Sequence, residues 1–426
     1  MAARVEEPGS LELPEPAVCF APEPALGVRY VARQPILDLR GKVHGYELLF
    51  RNGPEAAFRG DGDMATRTML DSTVLFGLGR LTAGLPAFVN CTEEALTRDL
   101  VHVLPSGMTV LEILEDIEPS PKVIEACRRL KASGFRLALD DFVWRPGIEP
   151  LVDIADYIKV DFCATDRLDR RRLLDRLSGV TVALVAEKVE TQEQVRQARD
   201  EGFTLVQGYY FCRPMLMENR EVPANRLSHV AILRLMESET MDLHELTREV
   251  ERDTSLTYRL LRLINSPACA MQQEVRSVQA ALITVGEETF RRMATLAITS
   301  ELNAGQPAEL LRMAFVRARF CELAALFAGL DHTEQYLLGL LSLLPAMLRM
   351  PMRELAPSLP LRNEIRRALL GEKILERSLL CWLEGHERGR WELCDLIAER
   401  RELRQEDLFQ CYEEALGWAE AVLQFS

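Results

Sequence analysis

The 426-residue chain lacks most of the features that assign a protein to a specialised class. Its ten cysteines include no C-x-x-C pair and no zinc-ligand spacing, and no secretory signal accompanies them. They are therefore read as reduced thiols of a cytoplasmic protein rather than as a disulfide framework or zinc site. The longest apolar run, 336–348, is interrupted by Pro345 and falls well short of the roughly 20 residues that span a bilayer. A soluble chain without a membrane partner is expected. Basic surplus is also missing. The formal net charge of −14 argues against a surface for a nucleic-acid polymer, but leaves room for one small phosphate ligand held through metal ions. The six histidines, at 44, 102, 229, 244, 332 and 386, form no ligand pair. His332 precedes a predicted helix and reads as a surface residue.

What is present is ordinary globular composition, 48% hydrophobic and 27% charged, long enough for two or three domains. Residues 1–26 are rich in Pro, Glu and Ala without periodicity and read as a disordered acidic tail. From residue 28, strands alternate with helices. Eight strands are expected, at 28–33, 43–50, 87–90, 109–111, 136–139, 157–160, 181–186 and 204–207. Helical patterns fall at 64–81, 121–133, 168–177 and 192–201. Eight strands in β-α alternation favour a TIM-like (β/α)8 barrel over an open sheet. The first two strands are separated by a short turn around Asp38–Gly41, too short for a helical crossover, so one strand should run antiparallel. The barrel is assigned to residues 27–215 and a linker to 216–225. Residues 226–426 lack a convincing strand and form an all-α domain with a C-terminal helical extension from about Asp395. Within it Asp242 to Glu245 reads as a helix start, Asn265-Ser-Pro267 as a helix end, and 337–352 as core.

Chemistry concentrates in residues 136–162. Adjacent carboxylates, Asp140 and Asp141, follow a buried strand and cost desolvation and mutual repulsion. A divalent metal offsets that cost most readily. In a parallel barrel the chemistry sits at strand C-termini, and the polar residues there are Glu47, Asn90, Glu112, Asp140, Asp141, Lys159, Asp161, Glu187 and Gln207. Only Glu47 lies inside its strand, the one expected to run antiparallel. These are hard oxygen ligands suited to Mg2+ or Mn2+, with enough carboxylates for a two-metal site. Lys159 and Asp161 are two apart, so both should face the lumen. Glu187 and Glu190 would close the far side. A single acid at a strand end more often caps the next helix than binds an ion; nine such polar residues at strand ends outweigh that reading.

The same residues carry a resemblance. Residues 28–214 resemble the EAL domain through Gln34-Pro-Ile36, Tyr46-Glu-Leu-Leu-Phe-Arg51, Val89-Asn-Cys-Thr92, Glu112-Ile-Leu-Glu115, Asp140-Asp-Phe142, Ile158-Lys-Val-Asp161, Ala186-Glu-Lys-Val-Glu190 and Gln207-Gly-Tyr209. The resemblance implies a barrel with one antiparallel strand that hydrolyses cyclic di-GMP to linear pGpG. It implies metal ligation by Glu47, Asn90, Glu112, Asp140 and Asp141, and handling of the nucleophilic water by Lys159 and Glu187. Gln34, Arg51, Asp161, Glu190 and Gln207 would bind the ligand or support the site, and Glu115 would brace the loop after the Asp pair. Two departures stand out. Active members continue Asp-Asp-Phe with a small glycine-rich loop, where this chain has Val143-Trp144-Arg-Pro-Gly147. The glycine of the family's E-G-V-E is Lys188.

The second half resembles the HDOD domain, a helical relative of metal-dependent HD phosphohydrolases, through Leu256 to Asn265, Ser277 to Gly286 and Tyr336 to Ser342. Ser342 and Leu343 stand where HD enzymes carry His-Asp, so this half is expected to be a regulatory or protein-interaction module. The partners implied are cyclic di-GMP and a protein that meets the helical half, with a homodimer as an open alternative assembly. Three readings stay open on the sequence: a cyclic di-GMP receptor with weak or regulated hydrolysis, a fully active phosphodiesterase regulated by the HDOD half, and a nucleotide-independent scaffold.

Overall fold

The computed structural model describes residues 29–52, 78–212, 247–248, 250–265, 275–303, 306–359 and 361–423. The expected acidic tail, the linker, the helix start at Asp242 and most of the helix at 64–81 lie outside them. Eight strands close a barrel in sequence order: β1 (Arg29–Asp38), β2 (Val43–Asn52), β3 (Ala87–Cys91), β4 (Thr109–Ile113), β5 (Arg136–Leu139), β6 (Tyr157–Asp161), β7 (Ala183–Glu187) and β8 (Leu205–Gln207). β1 is antiparallel to both β2 and β8, and every other adjacent pair is parallel. This corrects the expectation that Glu47 sits on the reversed strand. The strand that runs against the rest is β1, and β2 lies parallel to β3.

The β1–β2 turn forms because the Asp38 carboxylate accepts from the amides of Arg40 and Lys42, at 2.8 and 2.9 Å. Outer helices start where the sequence supplies caps. α1 (Pro121–Ala132) is capped by Ser120 and α2 (Arg167–Leu177) by Asp166. α3 (Gln192–Glu201) has a reciprocal Thr191–Gln194 capping box and ends on Gly202.

Strand periodicity then builds the lumen in layers. Ile36, Phe88, Val110, Ala138, Tyr157, Val185 and Leu205 form a separate apolar plug inside the barrel. Two residues further toward the C-terminal mouth on each parallel strand come Asn90, Glu112, Asp140, Lys159, Glu187 and Gln207. On reversed β1 the same step runs backwards, from Ile36 to Gln34, which is paired with Glu47 of β2. The plug shields one side of this polar layer from water, and that is why its charges are so deeply buried.

The rest of the described chain is helical. The main helices are α4 (Thr254–Ile264), α5 (Val278–Val285), α6 (Glu287–Leu302), α7 (Ala308–Ala328), α8 (His332–Leu341), α9 (Ser378–Glu387), α10 (Trp391–Arg400) and α11 (Gln405–Leu423). Asp253, Ser277 and Asp331 cap α4, α5 and α8. The core expected at 337–352 is there: Leu338, Leu340, Leu341, Leu343, Leu344, Met347 and Leu348 are buried. His332 is exposed, as expected. No described helix is long and apolar enough to cross a membrane.

Helices dock on the outer faces of β1 and β2. Tyr46 Oη donates to Glu309 of α7 at 2.8 Å, and the Arg33 guanidinium lies 4.6 Å above the Tyr46 ring. Just after β8, Tyr209 donates to the Glu387 carbonyl. Inside the helical half, Arg317 grips the Glu387 carboxylate through two bonds of 2.9 and 2.6 Å and donates to Ser342 Oγ at 3.1 Å. Removing one partner of such a buried pair strands the other charge, whereas replacing both with apolar groups does not. Arg317→Met should therefore lower stability by about 3–5 kcal/mol. Arg317→Met with Glu387→Met should recover most of the loss. Midpoints of urea unfolding for the two variants check this.

Candidate functional site

Lys159 occupies the centre of the polar layer and has no solvent exposure. Its ammonium lies 2.6 Å from Glu112, 2.8 Å from Asp140, 2.9 Å from Glu187 and 3.1 Å from Glu47. β6 delivers it from between β5 and β7, and the four carboxylates come from β2, β4, the end of β5 and β7. Gln207 donates 2.6 Å to Glu47 and 3.3 Å to Gln34, and Asn90 donates 3.3 Å to Glu47. The step past β8 depends on Gly208. Its φ is 144°, and a Cβ there would stand 2.1 Å from the Val189 carbonyl oxygen.

Four carboxylates face one buried cation, and their protonation follows from that imbalance. Burial pushes the Glu187 carboxyl up to about 8, with Lys159 opposing the shift and Asp140 and Glu47 adding to it. Burial likewise pushes Glu112 well above the usual range and raises Asp140. Glu47 moves the other way. Burial opposes its ionisation, but the Lys159 charge and hydrogen bonds from Gln207, Lys159 and Asn90 outweigh it. Lys159 stays charged because its carboxylate neighbours outweigh the burial that opposes its charge.

The layer also holds unsatisfied oxygens. Glu112 is fully buried, and its Oε2 has no hydrogen-bond partner. Glu112 Oε1 and Asp140 Oδ1 lie close to the ammonium but outside hydrogen-bond geometry, and Asn90 Oδ1 and Gln207 Oε1 are unpartnered. Buried polar atoms rarely stay unpaired, and these are hard oxygen donors of the kind a divalent cation takes. Among the described residues no group of three or more His, Cys, Asp or Glu is arranged to hold an ion as it stands. Lys159 takes the centre instead. The donor chemistry fits a divalent ion, while the carboxylates converge on the ammonium.

The remaining predicted residues fall around the rim. Asp141 has φ 37° and pairs with Lys188 at 3.2 Å. Asp161 accepts from the Cys163 and Ala164 amides, both at 2.8 Å, and from Lys188 at 2.6 Å. It caps the turn at the rim and does not join the buried cluster with Lys159. Glu190 is exposed beyond β7, its amide bonded to Gln194, so only Glu187 closes the far side of the cluster. Glu115 is exposed, and its carbonyl accepts from Arg145 at 2.6 Å. Arg145 also donates to the Ile117 carbonyl. The loop after the Asp pair is thus pinned by its own arginine onto the strand-4 loop. Phe142 is buried, its amide donating to the Lys159 carbonyl at 2.9 Å. Trp144 packs edge-on to Phe142 beneath Arg176, while Val143 points into solvent, 72% exposed. Arg51 is the penultimate residue of β2, and its side chain lies outside the described residues. In the helical half, Ser342 and Leu343 carry no metal-binding group, and Arg317 with Glu387 fills the interior beside Ser342. His386 is fully buried and stacked on Trp382 with ring centres 5.1 Å apart. Burial depresses it to about 3, so it is neutral.

A family model for the EAL domain matches residues 88–214, and one for the HDOD domain matches residues 223–364. The YuxH protein of Bacillus subtilis is 32% identical over 400 residues, which span 91% of this chain and 97% of that protein. A Vibrio cholerae protein named cyclic di-GMP phosphodiesterase CdgJ is 32% identical over 408 residues, 94% of each chain. The chain belongs to the EAL–HDOD family. The EAL match opens within β3, so in this EAL–HDOD protein Glu47 and Gln34 stand on strands that precede the matched segment and complete its barrel. The described helices continue past the HDOD match to Leu423.

The charge imbalance sets a pH dependence. Glu187 is ionised in the unfolded chain above about 4.5 but holds its proton in the fold up to about 8. Folding therefore loses stability as pH rises through that window. Glu187→Gln removes the loss. In metal-free buffer its melting temperature should exceed that of the unsubstituted protein by more at pH 8 than at pH 5, by at least about 2 °C at the rate of roughly 2–4 °C per kcal/mol for a domain of this size. Calorimetric melts at the two pH values test it.

Proposed function

We propose that this EAL–HDOD protein binds cyclic di-GMP at the barrel mouth and is a phosphodiesterase-type signalling protein, with hydrolysis to pGpG that is weak or regulated. The carrying observation is the buried cluster of Lys159 with Glu47, Glu112, Asp140 and Glu187 at the C-terminal mouth of the barrel. Membership of the family supports the substrate, and the name of the Vibrio relative supports the reaction class. Glu47, Asn90, Glu112 and Asp140 would hold a divalent ion, Mg2+ or Mn2+. That ion would polarise the phosphodiester and acidify a bound water.

The chain's own groups supply the rest. Lys159 keeps a fixed positive charge where negative charge develops on the phosphate. Glu187, its carboxyl raised by burial to about 8, would accept the proton of the attacking water in its ionised form. Gln207 and Gln34 hold Glu47 in place from β8 and β1. Slow turnover is favoured by two features at the rim: the loop at 143–147 is pinned by Arg145 and stiffened by Pro146, and Lys188 stands over Asp141 and Asp161. The helical half is the regulatory or protein-interaction module. It is fastened to β1 and β2, the strands that carry Gln34 and Glu47.

Incubation with cyclic di-GMP and Mg2+ or Mn2+, with pGpG followed by chromatography and bound nucleotide by calorimetry, tests the reading. Expected are tight metal-dependent binding and slow pGpG formation, the latter lost at least about 100-fold in Glu47→Ala, as for removal of a group that stabilises charge in the transition state. Binding without turnover would establish a receptor. Neither binding nor turnover with both metals present would overturn the nucleotide reading and leave a protein scaffold.

A further inference from the structure

The acids at the barrel mouth fall into two tiers with different needs. The inner tier, around Lys159, holds buried oxygens that nothing satisfies, among them Glu112 Oε2 on a fully buried side chain. The outer tier is Asp141 and Asp161, and it is already served. The Lys188 ammonium stands between them, 2.6 Å from Asp161 Oδ2 and 3.2 and 3.4 Å from the two oxygens of Asp141. The other oxygen of Asp161 takes two backbone amides. No oxygen of this outer pair is among the buried atoms without a partner.

The two residues in contact both have positive φ. Lys188 has φ 54° and Asp141 has φ 37°, a left-handed conformation that residues carrying a Cβ rarely adopt. Two strained residues from different strand ends thus meet through one ion pair. Strain of this kind persists where the surrounding contacts hold it. Because the ammonium is tethered, an incoming ion must displace a cation whose effective local concentration is high.

We propose that Lys188 is the resident cation of the outer tier, so that the barrel mouth loads a single divalent ion per chain, on the inner tier, in place of the pair its carboxylates would otherwise accommodate. The inference rests on the metal-dependent reading above, but it concerns ion number and not catalysis. It also changes the electrostatics of the mouth. A +1 group replaces a +2 ion, leaving the two outer carboxylates half neutralised, by a charge that cannot dissociate from the chain.

The test is Mn2+ binding to the full chain, counted by equilibrium dialysis with elemental analysis and read by electron paramagnetic resonance. The unsubstituted protein should bind one Mn2+ and give the signal of an isolated ion. Lys188→Gly, which also relieves the backbone, and Lys188→Met, which keeps the side chain's bulk without its charge, should each bind two and give the spin-coupled signal of ions about 3.5–4 Å apart. Two ions in the unsubstituted protein, or one ion in both variants, would overturn the inference and leave the proposed function standing. No bound ion in any of the three would overturn both.

Discussion

Four carboxylates around one buried ammonium is the constraint on which the mouth of this barrel depends. Lys159 alone would be prohibitively expensive to bury, and so would any of its acids. Together they are held because the apolar plug beneath and the strand walls fix their geometry, and because three of the acids are pushed toward their neutral forms. The cluster is stable without being satisfied. Glu112 is the clearest sign: it is fully buried, displaced upward in pKa, and has an oxygen facing no donor. A site tuned only for stability would have been better served by apolar residues of the same size. This one keeps an appetite for positive charge.

The two halves of the chain share strands. Along β1 and β2, residues alternate between lumen and outer face, so Gln34 and Glu47 enter the site while Arg33 and Tyr46 meet α7 and α11. Beyond β8 the chain turns at Gly208, so that Gln207 stays in the site while Tyr209 meets Glu387. A rearrangement of the helices would therefore act on the backbone that carries Glu47, and a ligand at the mouth would act back on the helices with the same free energy. That coupling requires the ligand to discriminate between two arrangements of the halves. The packing supplies the mechanical link through which such a difference would be transmitted.

Much of this was legible in the sequence because strand geometry is simple. A period of two and a polar residue at each strand end are enough to assemble Asn90, Glu112, Lys159, Glu187 and Gln207 into one ring. The reversed strand was expected, but its identity was not legible. The short turn at Asp38–Gly41 says that β1 and β2 oppose each other and does not say which of them follows the rest; closure against β8 decides it. Asp161 and Glu190 resemble site residues in sequence yet stay at the rim: Asp161 is the last residue of β6 and turns to the amides that follow it, and Glu190 lies beyond the end of β7. The Lys188 bridge was equally hidden, because it depends on two left-handed residues 47 positions apart. The docking of Tyr46 on Glu309 joins residues 263 apart, and no local pattern encodes it.

The central claim, that the barrel mouth is short of positive charge and takes a divalent ion on its inner tier, is tested most directly by melting the protein over a Mn2+ titration. At about 100 times its dissociation constant a ligand specific to the folded state adds about 2.7 kcal/mol, or about 5–10 °C for a domain of this size. The account predicts a saturable rise of that order, at least halved in Glu112→Gln. A melting temperature indifferent to Mn2+, or a rise that Glu112→Gln leaves intact, would contradict it.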